Sequence, residues 1–246
     1  MQPDKKQLEI LLMHYFRECY PGFPKGKVVS SESPDFIVTL TSRNNLGIEL
    51  TRLNPANAQS PDIKELSQQK LNEDIIETAR QTFECNSPFR LFVKFQFAGN
   101  ETIKEERKLI VAVQIANSIR QMVVNKSRNS FFRETLGPAS LPRGIESILI
   151  INHPALLNSF WERSNNLGVS KNVMADITEA IQKKDKKLML YQKQRLNYYW
   201  LLITTDRLKG VKNYNLPNKI LNHNFQSRFQ QVFLFDLIKA NIFELL

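Results

Sequence analysis

The sequence predicts an α/β protein built on a mixed β-sheet whose two faces are covered by helices. Segments with apolar residues at helical spacing alternate along the chain with short segments rich in β-branched and aromatic residues, and this alternation is typical of the class. Hydrophobic residues make up 42% of the 246 residues, which is enough for a core, and a charged fraction of 24% is ordinary for globular proteins. No repeat or long linker divides the chain, so we predict a single domain over residues 1–246.

The first hundred residues contain two predicted helices and four predicted strands. The first helix ends at Pro21-Gly22, and the second begins at Pro61. Asn44 and Asn45 suit the turn of a hairpin between two of the strands. In chain order, the predicted segments are a helix at 5–19, strands at 27–30, 35–40 and 47–53, a helix at 61–82 and a strand at 89–97.

The rest of the chain continues the alternation, interrupted by a turn-rich stretch between Gly137 and Gly144. The helix at 173–191 has the strongest apolar periodicity, and the strand at 198–204 is a compact apolar run. The predicted segments are helices at 102–124 and 173–191 and strands at 145–151, 198–204 and 231–237.

Composition excludes several classes of protein. The longest apolar runs have about six residues, whereas a membrane-spanning helix needs about 20, so we predict no membrane partner. The first residues lack the pattern of a secretory signal, and we expect a cytoplasmic protein. Two cysteines, Cys19 and Cys85, and three histidines do not suffice for a disulfide framework or a structural zinc site. With 8 Gly and no match to a phosphate-binding loop motif, we expect no glycine-rich loop that binds nucleotide phosphates.

The positive charge of the chain is unevenly distributed. The formal net charge is +10, yet residues 1–100 hold 12 basic and 12 acidic side chains. Residues 101–246 hold 22 basic and 12 acidic side chains, so the whole excess lies there. A basic surface attracts phosphate backbones through counterion release, which indicates a nucleic-acid partner.

Two neighbouring predicted strands hold acidic residues that invite a functional interpretation. Asp35 follows Pro34 at the start of one strand, and Glu49 lies 14 residues later within the next. Glu49 is surrounded by apolar residues, where a carboxylate is costly unless a cation or a hydrogen-bond donor meets it. The structural alternatives are that Asp35 caps a turn and that Glu49 lies on the exposed face of an edge strand.

The segments Pro34-Asp35-Phe36-Ile37-Val38 and Gly47-Ile48-Glu49-Leu50-Thr51 resemble the signature of the PD-(D/E)XK, or restriction endonuclease-like, nuclease superfamily. That signature is an Asp in one strand of a hairpin and Glu-x-Lys in the next. The resemblance covers about residues 30–53 and 177–204, and the chain also looks like a divergent group of uncharacterised bacterial proteins of this superfamily. It implies an αβββαβ core with residues 55–170 as an elaboration.

The resemblance also implies a metal-dependent nuclease. Carboxylates from neighbouring strands of a hairpin can share one hard divalent cation, so Asp35 and Glu49 are the expected ligands of Mg²⁺ or Mn²⁺. The metal lowers the pKa of a bound water, which becomes the nucleophile, and offsets charge on the phosphate in the transition state. Thr51 stands where the family has Lys. Its hydroxyl can hydrogen-bond a metal-bound water but carries no charge.

The late predicted helix offers a lysine to replace the missing one. Lys187 and Tyr191 are four residues apart and therefore neighbours on one helical face. This spacing is similar to a Gln/Lys-x-x-x-Tyr pair on the helix beside the active-site hairpin in several branches of the superfamily. We therefore expect Lys187, with Lys184 one turn earlier in reserve, to supply the ammonium.

A competing arrangement would use the nearer helix, 61–82, and the strand at 89–97 instead. Lys70 or Gln69 would then be the side chain contributed from the helix. The Lys187 and Tyr191 spacing favours the late helix, but the sequence leaves the choice open.

The expected substrate is nucleic acid, with DNA favoured over RNA. The basic residues around the late helix would hold it together with Tyr191, although such a run is also typical of a solvated helical face. These residues are Lys183, Lys186, Lys193 and Arg195. The alternatives are a catalytically degenerate nuclease-fold protein that binds nucleic acid or a protein, and an interaction protein outside this superfamily. The resemblance leaves a homodimer open.

Overall fold

The structure is a computed structural model that describes residues 3–40, 44–53, 63–99, 101–164, 172–191, 196–206 and 216–246. Within these ranges the chain forms five α-helices: α1 (Pro3–Cys19), α2 (Ile63–Glu84), α3 (Lys108–Val123), α4 (Val173–Tyr191) and α5 (Leu216–Leu221). The first five strands are β1 (Lys27–Ser30), β2 (Phe36–Thr39), β3 (Asn45–Arg52), β4 (Phe92–Phe97) and β5 (Phe132–Leu136). The others are β6 (Ile145–Asn152), β7 (Phe160–Arg163), β8 (Tyr198–Thr205), β9 (Gln231–Asp236) and β10 (Asn241–Glu244).

The chain divides into two compact units. One holds Met1–Leu11 and Ser60–Asn165, and the other holds Leu12–Gln59 and Asn166–Leu246. The stretch 55–170, interpreted from the sequence as an elaboration, nearly coincides with the longer segment of the first unit. The interpretation as one domain stays a prediction.

The second unit is built on a six-stranded mixed sheet in the order β1-β2-β3-β8-β9-β10. Strands β1, β2 and β3 pair antiparallel, as consecutive strands joined by short turns can. Strand β8 lies parallel to β3, and β9 lies parallel to β8. Parallel neighbours need a crossover, and α4 precedes β8 in the connection from β3.

One face of this sheet packs against the second half of α1 through aromatic side chains. Phe16 is fully buried, and its ring centroid lies 5.2 Å from that of Phe233 and 5.8 Å from that of Phe235. Tyr15 lies 4.8 Å from Phe235, and its hydroxyl donates a 2.7 Å hydrogen bond to the main-chain oxygen of Leu237. Tilted aromatic pairs at these separations add to the stabilisation from area burial.

The other face of the sheet packs against α4 and α5. Strand alternation sends every second side chain of β8 and β9 to this face, where helical spacing presents an apolar stripe of α4. The buried residues of this cluster include Ile177, Ile181 and Leu188 of α4, Leu201 and Ile203 of β8, and Val232 and Leu234 of β9. The sheet is therefore mixed and covered on both faces, and the α/β class predicted from the sequence is confirmed.

The first unit contains a second sheet of four strands in the order β5-β6-β4-β7. Strands β5, β6 and β4 pair antiparallel, and β7 lies parallel to β4. Residues of α2 and α3 such as Ile75, Phe83, Ile115 and Ile119 pack with Val93 and other residues of this sheet in one buried core. The sequence predicted one mixed central sheet with an elaboration of helices and strands at 55–170, and the structure shows that the strands of this stretch form a separate sheet.

Candidate functional site

The candidate functional site lies at the point where the pairing between β2 and β3 ends. Strand β2 pairs with β3 from Phe36, which faces Ile48, so the peptide groups of Leu50 have no ladder partner on β2. Buried backbone polar groups require another partner. Pro34, which is itself buried and has no N–H, precedes this point.

Asp35 supplies the partner for the N–H of Leu50. Its Oδ2 atom accepts a 2.7 Å hydrogen bond from that N–H, and its main-chain oxygen accepts one of 2.8 Å from the N–H of Ser31. Asp35 lies one residue before the last pair of the ladder, Phe36 and Ile48, and Glu49 lies one residue beyond that pair on β3. The two acidic residues therefore flank the point where the pairing of β2 with β3 ends.

Glu49 is buried within β3, with 4% of its surface exposed. The register places it beside Leu201 of β8, on the face of the sheet that α4 covers. A carboxylate in such apolar surroundings needs a counter-charge. The ammonium of Lys184 provides it, with Nζ 2.6 Å from Glu49 Oε1.

Lys184 reaches Glu49 because it continues the buried stripe of α4. Ile177, Ile181 and Leu188 define that stripe, and Lys184 lies between them at spacings of three and four residues. Its Nζ also donates a 3.1 Å hydrogen bond to the main-chain oxygen of Leu50. The peptide groups of Leu50 therefore connect Asp35, through the N–H, with Lys184, through the carbonyl.

Lys187, expected first as the source of the ammonium, is exposed on α4. At about 100° per residue, it lies roughly a quarter turn from the centre of the buried stripe, so its side chain faces solvent. Lys184, the reserve candidate, takes the position beside Glu49. The prediction that Lys187 supplies the ammonium is therefore wrong, because the side of α4 that packs on the sheet presents Lys184 to Glu49 and leaves Lys187 exposed.

The remaining predicted residues fall into three groups. Lys183 and Lys186 are exposed, which leaves them accessible to a partner. Thr51 is half-buried near the end of β3, and its main-chain oxygen accepts a 3.3 Å hydrogen bond from the hydroxyl of Thr204. The side chain of Tyr191 and the residues Lys193 and Arg195 lie outside the described part of the structure.

The competing arrangement through the nearer helix does not occur. Strand β8, which follows α4, pairs with β3, while β4 belongs to the other sheet. Gln69 instead accepts a 3.3 Å hydrogen bond from the guanidinium of Arg163, and Lys70 is exposed.

Two residues that shape the site were missed by sequence reasoning. Asp185 interrupts the lysine run and accepts hydrogen bonds from the hydroxyl of Ser227 (2.8 Å) and the N–H of Arg228 (3.1 Å). Gly47 lies beneath Pro34 and Leu196, and a β-carbon there would lie 2.7 Å from each. The sequence features that could have indicated these two residues are an acidic residue within a run of lysines, for Asp185, and a glycine within an apolar strand, for Gly47.

Burial affects one ionisable group beside this glycine. Tyr199 of β8 pairs with Gly47 of β3, and desolvation raises the pKa of its phenol above the ordinary value. A tyrosine is already neutral at physiological pH at its ordinary pKa of about 10, and this shift keeps the Tyr199 phenol so.

The oxygen atoms of the site fit a hard divalent cation in their chemistry. Asp35 and Glu49 offer carboxylate oxygens, and Leu50 offers a carbonyl oxygen on the same side of β3. Mg²⁺ and Mn²⁺ are bound by such oxygens together with water. Across the described ranges, no cluster of three or more His, Cys, Asp or Glu side chains is placed to hold a metal, so a cation here would depend on two carboxylates and the carbonyl.

Comparison with known proteins adds no relative. No protein-family model, no curated protein and no solved structure matches the chain. Of the helices in the described part of the chain, none has both the length and the apolar character needed to cross a membrane.

Proposed function

We propose that the chain is a nuclease of the restriction endonuclease-like class that requires Mg²⁺ or Mn²⁺ and acts on DNA. The observation that carries the proposal is the convergence of Asp35, Glu49 and Lys184 around the peptide groups of Leu50. The element order α1, β1, β2, β3, α4 and β8 in the six-stranded sheet supports an αβββαβ core for this class.

In this proposal, Asp35 and Glu49 would hold the metal, and the carbonyl oxygen of Leu50 would be a third ligand. The chemistry supplied by the metal when bound would be a nucleophilic water and an offset to negative charge on the phosphate. Lys184 stabilises the charge that develops on the scissile phosphate, which is the role that Thr51 cannot perform. The hydroxyl of Thr51 orients water, and the exposed Lys183, Lys186 and Lys187 contact phosphates along the strand.

The test is cleavage of single- and double-stranded DNA and RNA in the presence of Mn²⁺. We expect the parent protein to cut DNA, and we expect Asp35→Asn or Glu49→Gln to lower the rate at least about 100-fold, because each removes a metal-binding carboxylate. Glu32→Gln is the matched control, since Glu32 is an exposed acid three residues before Asp35. No cleavage of any substrate, or undiminished cleavage by Asp35→Asn, would contradict the proposal.

A catalytically degenerate nucleic-acid-binding protein is the second candidate. It is favoured by one observation: Lys184 already neutralises Glu49, so the buried carboxylate does not require a metal for its stability. This candidate is supported if the parent binds DNA with or without Mn²⁺ and cuts none.

A further inference from the structure

The ammonium of Lys184 occupies a position that a cation could take. Its Nζ lies 2.6 Å from Glu49 Oε1 and 3.1 Å from the main-chain oxygen of Leu50, two oxygens contributed by consecutive residues of β3. These are also two of the three oxygens that the proposed function assigns to the metal. A lysine and a divalent cation therefore require the same pair of atoms.

We propose that Lys184 is a built-in competitor of the divalent cation, bound to Glu49 and Leu50 when metal is absent and displaced when metal binds. This inference rests on the proposed function, because it concerns the same site. The ammonium is a compact charge on a flexible four-carbon stem, so it can move without a change in the backbone of α4. The side chain retains 14% exposure, which leaves part of it at the surface of the unit.

The physical reason for competition is that two positive charges cannot share the Glu49 carboxylate at contact distance without mutual repulsion. Each cation therefore lowers the affinity of the site for the other, and this coupling is reciprocal. A purely supporting lysine has the opposite effect. If Lys184 only held Glu49 in the orientation that binds metal, its removal would weaken metal binding.

Calorimetric titration with Mn²⁺ separates the two roles. We expect Lys184→Met to lower the dissociation constant for Mn²⁺ about tenfold, since the buried carboxylate then has no counter-charge other than the metal. Lys239→Met is the matched control because it makes the same substitution at an exposed lysine of the same unit, and its dissociation constant should stay within about twofold of the parent's.

A second variant at the same position tests the inference in case Lys184→Met does not fold. Lys184→Gln keeps a donor for the carbonyl of Leu50 while removing the charge, and it should also bind Mn²⁺ more tightly than the parent. For both variants, we expect Mn²⁺ to raise the midpoint of thermal unfolding more than it does for the parent, because a ligand stabilises the state that binds it.

The outcomes distinguish this inference from the proposed function. If both Lys184 variants bind Mn²⁺ more tightly and the parent does not cut DNA, the competition is supported and the proposed nuclease function is contradicted. If the parent cuts DNA in a metal-dependent way but the Lys184 variants bind Mn²⁺ equally well or more weakly, the competition is overturned and the proposed nuclease function is supported. Absence of Mn²⁺ binding in every variant overturns both.

Discussion

Pro34 lies so close to Gly47 of β3 that no room remains for a β-carbon at position 47. A β-carbon on Gly47 would lie 2.7 Å from Pro34 Cγ, an atom of a rigid ring, and 2.7 Å from Cδ1 of Leu196. Residues two apart on a strand share a face, so Gly47 lies on the face that carries Glu49. The absence of a side chain at position 47 therefore lets Pro34 approach the sheet and sets the position of Asp35.

Substitution of Gly47 by Ala tests this contact. We expect Gly47→Ala to lower the free energy of unfolding by about 1–3 kcal/mol, because an extra methyl group in a packed site forces its neighbours to move. Displacement of Pro34 should also lower the Mn²⁺ affinity of the site. Urea unfolding and calorimetric titration measure the two effects.

Gly99→Ala is the control for this experiment. A β-carbon on Gly99 meets no heavy atom within 4 Å, so the same chemical change should alter stability by less than about 0.5 kcal/mol. Equal effects at the two glycines would show that packing against Pro34 is unimportant.

At the scale of elements, the setting of α4 decides which side chain reaches the hairpin. Its apolar stripe packs on β8 and β9, and this packing turns Lys184 toward Glu49. Asp185, the next residue, points elsewhere and binds the hydroxyl of Ser227 and the N–H of Arg228, just before β9. These two anchors on consecutive residues hold both the rotation and the position of the helix along the sheet.

Removal of the second anchor should loosen the helix. We expect Asp185→Ala to lower the free energy of unfolding by about 1–3 kcal/mol, because a hydroxyl and an N–H lose their acceptor. Lys186→Ala alters the neighbouring exposed residue and should change stability by less than about 0.5 kcal/mol. Chemical denaturation measures both, and a neutral effect of Asp185→Ala would contradict the anchoring role.

The structure agrees best with the predicted helices and strands whose apolar residues recur at clear helical or strand spacing. The helix predicted at 173–191 has the observed bounds of α4, since its periodic apolar residues meet one buried face. The short strands β5, β7 and β10 were missed. Each has four or five residues at the edge of a sheet, so neither the length nor the alternation of a typical strand was present to indicate it.

At the scale of the whole molecule, the basic charge determines how the proposed nuclease would meet its substrate. The net charge is +10, and the candidate ligands Asp35 and Glu49 come from the electrically neutral first hundred residues. Exposed lysines on α4 lie on the same helix as the ammonium that contacts Glu49. Phosphate contacts of this kind give affinity that depends strongly on salt.

The salt dependence of DNA binding tests the role of α4. We expect a variant with Lys183, Lys186 and Lys187 replaced by Gln to bind DNA more weakly. On duplex DNA, its slope of log affinity against log salt should be shallower by about 0.9 for each phosphate that the variant no longer neutralises. Fluorescence anisotropy over a salt series measures the slope, with Mg²⁺ omitted so that cleavage does not intervene.

A matched variant carries the same loss of charge in the other unit. Lys70, Lys104 and Arg107 are exposed there, and their replacement by Gln should leave the slope close to the parent's. If both triple variants reduce the slope equally, the overall charge of the protein governs binding and the surface of α4 has no special role.

The sequence by itself determined the α/β class and the hairpin of β2 and β3 beside which Asp35 and Glu49 lie, because both follow from local pattern: helical spacing, strand alternation and a short turn. Only the tertiary structure decided that the chain forms two sheets and that Lys184 contacts Glu49. Lys184 and Lys187 both lie at helical spacing from the apolar residues of α4, so the sequence could not separate them. The rotation of α4 is set by side chains from β8 and β9, which are distant along the chain and meet the helix only in the folded core.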